Sequence, residues 1–121
     1  MNSKEMVKTI FNALEEKKGE HISILDISDI SVIADYFIIA SGNNVNQLQA
    51  LCDSVKEELL KLGVEPKNVE GYNDGTWILL DYSDVVVHIF SKEARMFYDI
   101  ERVWKDAKNV DFVGGSYGVR F

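Results

Sequence analysis

The chain has 121 residues, of which 46% are hydrophobic, and this is enough for one domain with a core of its own. Its 13 basic and 20 acidic residues give a net charge of −7, which argues against a surface that binds nucleic acid mainly through phosphates. The charge balance favours a basic protein as the partner, with no nucleic acid as the main contact.

Other features of the whole sequence favour a reducing compartment. The single cysteine, Cys52, cannot form an internal disulfide. The first residues lack both the apolar core of a signal peptide and the arginine-rich character of a transit peptide. No stretch approaches the ~18 consecutive apolar residues that suggest a membrane span. We therefore predict a cytoplasmic protein without a membrane segment.

Two helices and two strands are predicted in the first half of the chain. Apolar residues at helical spacing predict a helix over residues 3 to 18. Apolar residues that alternate with serine and aspartate predict a short strand from Ile22 to Ile27. The continuously apolar run from Tyr36 to Ala40 is typical of a strand buried on both faces. A second helix follows, with Asn44 and Gln47 at the spacing of a capping box.

A hairpin is predicted in the second half, after a weak strand near Asn68 to Gly71. Two runs of β-branched and aromatic residues, 76 to 82 and 85 to 90, are separated only by Ser83 and Asp84. These two residues are therefore predicted to form the loop. A two-residue loop also defines the pairing of the two strands.

The predicted pairing gives the hairpin two faces of different character. One face is aliphatic and is predicted to lie on the core: Ile78, Leu80, Val87 and Ile89. The other face mixes aromatic, polar and acidic side chains: Trp77, Leu79, Asp81, Val86, His88 and Phe90. A mixed face of this kind is either solvated or reserved for a partner, and we interpret Trp77 as a partner contact.

A final helix is predicted to begin at Lys92, with Ser91 as its cap. Its apolar residues repeat every 3.6 positions and are predicted to form a stripe that packs on the core: Met96, Phe97, Ile100, Val103, Trp104 and Ala107. The opposite, exposed face of this helix is predicted to carry Arg95, Tyr98 and Arg102.

The order of these elements predicts an α/β (α+β) fold, in which a mixed sheet of about five strands is packed with helices. Residues 1 to 107 are expected to form a single domain. Residues 108 to 121 contain three glycines and no periodic pattern, so they are expected to form a loosely attached tail.

Three segments resemble the ribosomal silencing factor family, also called Iojap-like. The segments are W-I-L-L-D-Y-x-D-V-V-V-H-I-F at residues 77 to 90, R-x-F-Y-D-I-E-x-V-W at residues 95 to 104, and I-A-D-Y-F-I-I-A-S-G at residues 33 to 42. Together they extend the resemblance over most of the chain. One departure is Ser83, at a position where family members commonly have glycine.

The resemblance implies a nucleotidyltransferase-like fold, a homodimer when the protein is free, and a regulatory role without catalysis, cofactor or metal. It implies docking on the fourteenth protein of the large ribosomal subunit, which would block joining of the small subunit and repress translation under nutrient limitation. Asp81 is expected to meet Lys or Arg of the partner. The residues expected to contact the partner are Trp77, Leu79, Asp81, His88, Phe90, Arg95 and Tyr98.

The implied fold also raises an alternative, a divergent nucleotidyltransferase-like enzyme that binds nucleotides. Such enzymes place Gly-Ser after a strand, followed by paired aspartates that hold a divalent metal ion. Here Ser41 and Gly42 are followed by Asn43, and Asp53 stands alone in the second helix. The two histidines are far apart in the sequence and not at metal-ligand spacing. The residues therefore favour a binding module without catalytic activity.

Overall fold

The structure of the chain is a computed structural model that describes residues 2–112 and 119–120. The helices are α1 (Ser3–Glu16), α2 (Val45–Lys61), α3 (Lys92–Tyr98) and α4 (Ile100–Val103). The strands are β1 (Glu20–Asp26), β2 (Tyr36–Gly42), β3 (Asn68–Glu70), β4 (Trp77–Asp81), β5 (Val85–Ser91), β6 (Lys108–Asn109), β7 (Asp111–Phe112) and β8 (Val119–Arg120).

The strands β1 to β6 form one mixed sheet in the order β3-β4-β5-β2-β1-β6. Only β2 and β5 pair in parallel, and the other neighbours in this sheet are antiparallel. The predicted α/β fold is confirmed. The sheet has six strands rather than about five because β6 adds to the outer side of β1.

The centre of the sheet is the pair β2 and β5. Each residue of β2 is buried, and its register runs from Tyr36 opposite Val85 to Gly42 opposite Ser91. A strand can be apolar on both faces only when both faces are covered, so the run Tyr36 to Ala40 requires packed layers on either side. The prediction of a central strand at this position is confirmed.

Helices α1 and α2 cover one face of the sheet and bury the larger core. Their apolar stripes pack on the aliphatic face of the hairpin, so that Phe11, Leu14, Leu51, Ile78 and Leu80 are fully or almost fully buried. Cys52 is also buried here, and this burial raises the pKa of its thiol to about 11. The thiol is therefore protonated and unreactive at neutral pH.

Asparagine side chains cap both long helices. The backbone N–H of Glu5 donates to Oδ1 of Asn2 at 2.9 Å, and that of Gln47 donates to Oδ1 of Asn44 at 2.8 Å. The side chain of Gln47 accepts from the N–H of Asn43, one residue earlier than in a capping box. The predicted cap residue of α2 is thus correct, with a shifted reciprocal bond.

Helices α3 and α4 cover the opposite face of the sheet and bury a second, smaller core. Its fully or largely buried members are Leu25, Ile27, Ala34, Phe37, Ile39, Val86, Phe90 and Ala94. Partly buried side chains pack around them: Trp77, Leu79, Ile100, Trp104 and Ala107. The hairpin face predicted to be solvated or reserved for a partner therefore lies largely against this core.

The predicted final helix is broken at Asp99, which adopts a left-handed conformation with φ 46° and ψ 50°. The break ends α3 at Tyr98 and redirects the chain, so the apolar stripe does not continue as predicted. Three of its members are exposed: Met96 (82%), Phe97 (82%) and Val103 (72%). Their assignment to the core is wrong, whereas Ile100, Trp104 and Ala107 do pack on the second core.

The tail predicted to begin at Lys108 starts as part of the sheet. Lys108 and Asn109 pair with β1, and the N–H of Val110 donates to the carbonyl oxygen of Ile24 at 2.9 Å. Strands β7 and β8 form a separate two-stranded ribbon. The remainder of the tail prediction concerns residues 113–118 and 121, which lie outside the described residues.

Gly71 allows the chain to pass close to the hairpin. Its φ is +80°, and a Cβ there would lie 2.0 Å from the carbonyl oxygen of Trp77. Gly63 has nearly the same φ, +78°, but a Cβ there would have nothing within 4 Å. The two positions therefore separate the cost of a left-handed backbone from the cost of a steric clash.

We expect Gly63→Ala to lower the free energy of unfolding by ~1–2 kcal/mol, the cost of a left-handed alanine. Gly71→Ala should lower it by clearly more, since the backbone at Trp77 must also move. Urea unfolding of both variants measures the difference. If both variants lose the same free energy of unfolding, the close approach of Gly71 to Trp77 does not contribute to the cost of the substitution.

Candidate partner-binding site

The hairpin register agrees with the sequence prediction. Trp77 lies opposite Phe90, Leu79 opposite His88, and Asp81 opposite Val86.

The hairpin loop is tight, with the N–H of Tyr82 donating to the carbonyl oxygen of Val85 at 2.9 Å. Ser83 has φ 71°, a conformation in which glycine is less strained. Oδ1 of Asp81 accepts from the N–H of Ser83 at 2.7 Å and stabilises this turn. Asp81 is partly exposed, so contact with a partner stays a prediction for this residue.

Two of the predicted partner-binding residues are buried inside the chain. Phe90 is fully buried and His88 is only 5% exposed, because α3 and α4 cover this face of the sheet. Ring centroids lie 4.9 Å apart for Trp77 and Phe90 and 4.8 Å apart for Phe37 and His88. His88 and Phe90 therefore lie beneath the exposed side chains of the candidate site, so this part of the hairpin face is not solvated. Their contact with a partner stays a prediction.

An aromatic surface remains above this buried layer. Trp77 and Leu79 are partly exposed, and the rings of Trp77 and Tyr98 lie 4.7 Å apart. The ring of Phe97 contacts that of Tyr98 edge to face at 5.0 Å. We call these four side chains, Trp77, Leu79, Phe97 and Tyr98, the Trp77 surface.

Phe97 was missed as a site residue because helical periodicity assigns it to the core. The signal that could have found it is Asp99, since aspartate tolerates the left-handed conformation better than most residues. A helix that ends at Tyr98 exposes the side of α3 that a continuous helix would bury.

Two grooves border the Trp77 surface, and both have acidic walls. A groove of about 320 Å³ runs past Trp77, Leu79 and Tyr98 and has Glu70 and Asp74 in its wall. A second groove, of about 610 Å³, runs past Phe97 and Tyr98 and contains Glu93. Among the described residues, no lysine or arginine lines either groove. The electrostatics of this surface therefore favour a cationic partner over a phosphate backbone.

Arg95, predicted to be exposed, is mostly buried and serves the fold. Its Nε and Nη2 donate to the two carboxylate oxygens of Glu101 at 3.0 and 3.1 Å, and Nη1 donates to Oγ of Ser41 at 2.9 Å. The side chain thus ties α3 to α4 and to the end of β2. Only 14% of the Arg95 side chain is exposed, and its contact with a partner stays a prediction.

Glu101 is the acidic partner of this pair. Burial on its own raises the pKa of the Glu101 carboxyl, but the hydrogen bonds and charge of Arg95 and the hydroxyl of Ser23 outweigh burial and lower that pKa. The carboxylate is therefore charged at neutral pH, and the pair bridges the break between the two short helices.

The nucleotidyltransferase alternative gains no support at the expected position. Ser41 is the next-to-last residue of the central strand β2, and its buried hydroxyl accepts a hydrogen bond from the guanidinium of Arg95, a cation that repels a divalent metal ion. The carboxylate of Asp53 accepts from the hydroxyl of Tyr72 at 2.9 Å. Within residues 2–112 and 119–120, no group of three or more His, Cys, Asp or Glu could hold a metal ion.

His88 connects the buried layer to Trp77. Nε1 of Trp77 donates a hydrogen bond to Nδ1 of His88 at 3.1 Å. Burial lowers the pKa of His88 from 6.5 to about 4, so the imidazole is neutral at physiological pH. A neutral ring that accepts at Nδ1 carries its proton on Nε2.

The lowered pKa predicts a loss of stability in acid. The folded state binds the His88 proton more weakly than the unfolded state does, so its contribution is fully present above pH 6.5 and is lost as the pH falls toward about 4. We expect the free energy of unfolding to fall by about 1.4 kcal/mol per pH unit in this window from His88 alone.

Urea unfolding of His88→Phe across this pH window tests the expectation, because phenylalanine removes the titrating group. The slope of the free energy of unfolding against pH should become shallower by the amount that corresponds to about one proton. Val86→Ala changes the same buried core without removing a titratable group, so it is the matched control and should keep the original slope. An unchanged slope in His88→Phe contradicts the prediction.

Among the described residues, no helix has the length and apolar character needed to cross a membrane.

Comparison with known proteins identifies relatives along almost the whole chain. The family model described as "Ribosomal silencing factor during starvation" matches residues 1–117. The ribosomal silencing factor of Halalkalibacterium halodurans is 40% identical over 94% of this chain and 97% of its own length. That of Bacillus subtilis is 40% identical over 92% of this chain and 94% of its own length.

Structural comparison agrees with these matches. A crystal structure of a protein from Chromobacterium violaceum superposes with a TM-score of 0.84 at 36% identity and covers 97% of each chain. A more distant relative is the mouse protein named "Mitochondrial assembly of ribosomal large subunit protein 1", which is 24% identical over 81% of this chain and 44% of its own length.

Proposed function

This chain belongs to the ribosomal silencing factor family, and we propose that it binds the large ribosomal subunit through that subunit's fourteenth protein. Bound there, it blocks association with the small subunit and represses translation under nutrient limitation. The action is steric and uses no catalytic group, metal or cofactor. Because its target is the ribosome, its proposed location is the cytoplasm.

The observation that carries this proposal is the aromatic Trp77 surface, with the acidic residues Glu70, Asp74 and Glu93 in the two grooves that border it. Aromatic side chains dominate the binding energy of protein interfaces because they bury much area at a small cost in entropy. Glu70, Asp74 and Glu93 then provide attraction for a basic protein, and many ribosomal proteins carry positive charge to match rRNA. Such charges mainly raise the association rate.

Steric blocking is consistent with the size of the domain. A compact chain of this length has a radius of gyration of about 14 Å. Two subunits that meet through contacts of a few ångströms cannot close over a body of that size. The name of the mouse relative refers to the large subunit, which supports the choice of subunit.

The homodimer is a further part of the proposal. Phe97 of the Trp77 surface and the neighbouring Met96 are each 82% exposed, and two copies related by a twofold axis could bury them against each other. A dimer of this kind would cover the docking residues, so the free dimer would have to dissociate before binding the subunit. Sedimentation equilibrium that shows only monomer at high micromolar concentration would contradict it.

A subunit-joining assay tests the proposed function directly. Purified subunits are mixed with and without the protein at a magnesium concentration that permits joining, and are then separated on a sucrose gradient. We expect the protein to sediment with the large subunit and the joined ribosome to decrease. A full yield of joined ribosomes with the protein bound would reject steric blocking.

Two substitutions test the docking surface. Phe97→Ala and Trp77→Ala should each weaken large-subunit binding by ~2 kcal/mol or more, as expected for anchor residues. Leu60, which is 56% exposed on α2 at the other face of the sheet, gives the matched control Leu60→Ala, and its binding should be unchanged. Circular dichroism verifies that each variant is folded.

If Phe97→Ala and Trp77→Ala are folded and bind like the original protein, the Trp77 surface is not the dock. Because Phe97 is so exposed, its truncation tests docking with little effect on the core. Loss of binding in Leu60→Ala alone would place the dock on the helical face formed by α1 and α2.

A further inference from the structure

The imidazole of His88 is an unusual group for its position. Only 5% of the residue is exposed, and it lies among the rings of Phe37, Trp77 and Phe90. Its Nε2 has no hydrogen-bond partner among the described residues. A buried polar atom without a partner costs stability that an apolar side chain of similar size would not.

Within the part of the chain that the structure describes, only one contact of His88 requires an imidazole. Phenylalanine could fill the same space and keep the ring contacts, but it could not accept the hydrogen bond from Nε1 of Trp77. The other tautomer could not accept it either, because an N–H at Nδ1 would face the indole N–H. The hydrogen bond therefore selects the tautomer with the proton on Nε2.

We propose that His88 is a positioning residue that holds the indole of Trp77 in the orientation required for docking. The inference rests on the proposed function, because it assigns Trp77 to the interface. Trp77 is only partly buried, so packing alone constrains its indole less than it constrains a core ring. A hydrogen bond from beneath orders the indole before the partner arrives, and less entropy is then lost on binding.

The geometry explains how a residue without access to the partner affects binding. His88 and Trp77 lie on neighbouring strands, and His88 is paired with Leu79, two residues along the strand from Trp77. Both side chains point to the same face of the sheet, where Tyr98 packs on the outer side of the indole. The indole is thus held between an inner acceptor and an outer ring.

Three variants distinguish the effect of the hydrogen bond on binding from the effect of packing. His88→Phe keeps a ring and removes the acceptor, whereas His88→Asn places Oδ1 close to the former Nδ1 and restores an acceptor without the ring. Val86→Ala loosens the same buried core without touching the hydrogen bond. Each variant is compared with the unmodified chain by the NMR signal of the indole N–H and by affinity for purified large subunits.

We expect His88→Phe to shift the Trp77 indole signal, speed its exchange with water and weaken binding by about fivefold, the size of one net hydrogen bond. His88→Asn should recover most of the affinity, and Val86→Ala should bind like the unmodified chain. The Trp104→Phe variant assigns the two indole signals. In the unmodified protein, imidazole nitrogen shifts should place the proton of His88 on Nε2.

Several outcomes overturn the proposal. They are a proton on Nδ1, an indole signal that His88→Phe does not change, full affinity in His88→Phe, or an Asn variant that binds as weakly as the Phe variant. The tautomer measurement needs no variant and so remains decisive if His88→Phe does not fold.

Failure of the proposed function is distinguishable from failure of this inference. If Trp77→Ala binds normally, the docking assignment is wrong. If Trp77→Ala abolishes binding and His88→Phe does not change it, the dock stands and only the positioning role is wrong.

Discussion

The parallel pairing of β2 with β5 is the constraint on which the rest of the fold depends. Both strands are buried along almost their whole length, and parallel strands occur almost only where both faces of the sheet are covered. One face receives the two long helices, and the other has to be covered by the segment that comes after β5 in the chain. The short helices α3 and α4 cover this second face, and the Trp77 surface lies on the outer side of the layer that they form.

The layer over this face consists of the two short helices α3 and α4, which are joined by the ion pair of Arg95 and Glu101. Asp99 changes the chain direction between them, and Arg95 bonds to Glu101 across the break. This arrangement leaves Phe97 outside and brings Trp104 inside, where its ring lies 5.3 Å from that of Phe37. The Trp77 surface and the second core therefore lie on opposite sides of the same two short helices.

Local and pairwise patterns predicted the fold better than they predicted the site. The predictions of the strand from Tyr36 and of the hairpin register were correct because a continuously apolar run and the loop length determine them within a few residues. The predicted exposure of His88 and Arg95 was wrong, because the exposure of these side chains depends on how α3 folds back over the sheet. A single left-handed residue, Asp99, determines the path of α3 and α4. A periodic pattern is evaluated over many residues and does not detect one residue of this kind.

The edges of the sheet have a consequence for behaviour at high concentration. The outermost strands, β3 and β6, contain three and two residues, so each presents only a short row of unpaired backbone groups. A sheet that ended on β5 or β2 would offer an apolar template to other chains. The short edges protect the strands most prone to cross-β stacking, so the chain can expose the aromatic rings of the Trp77 surface with less risk of fibril growth.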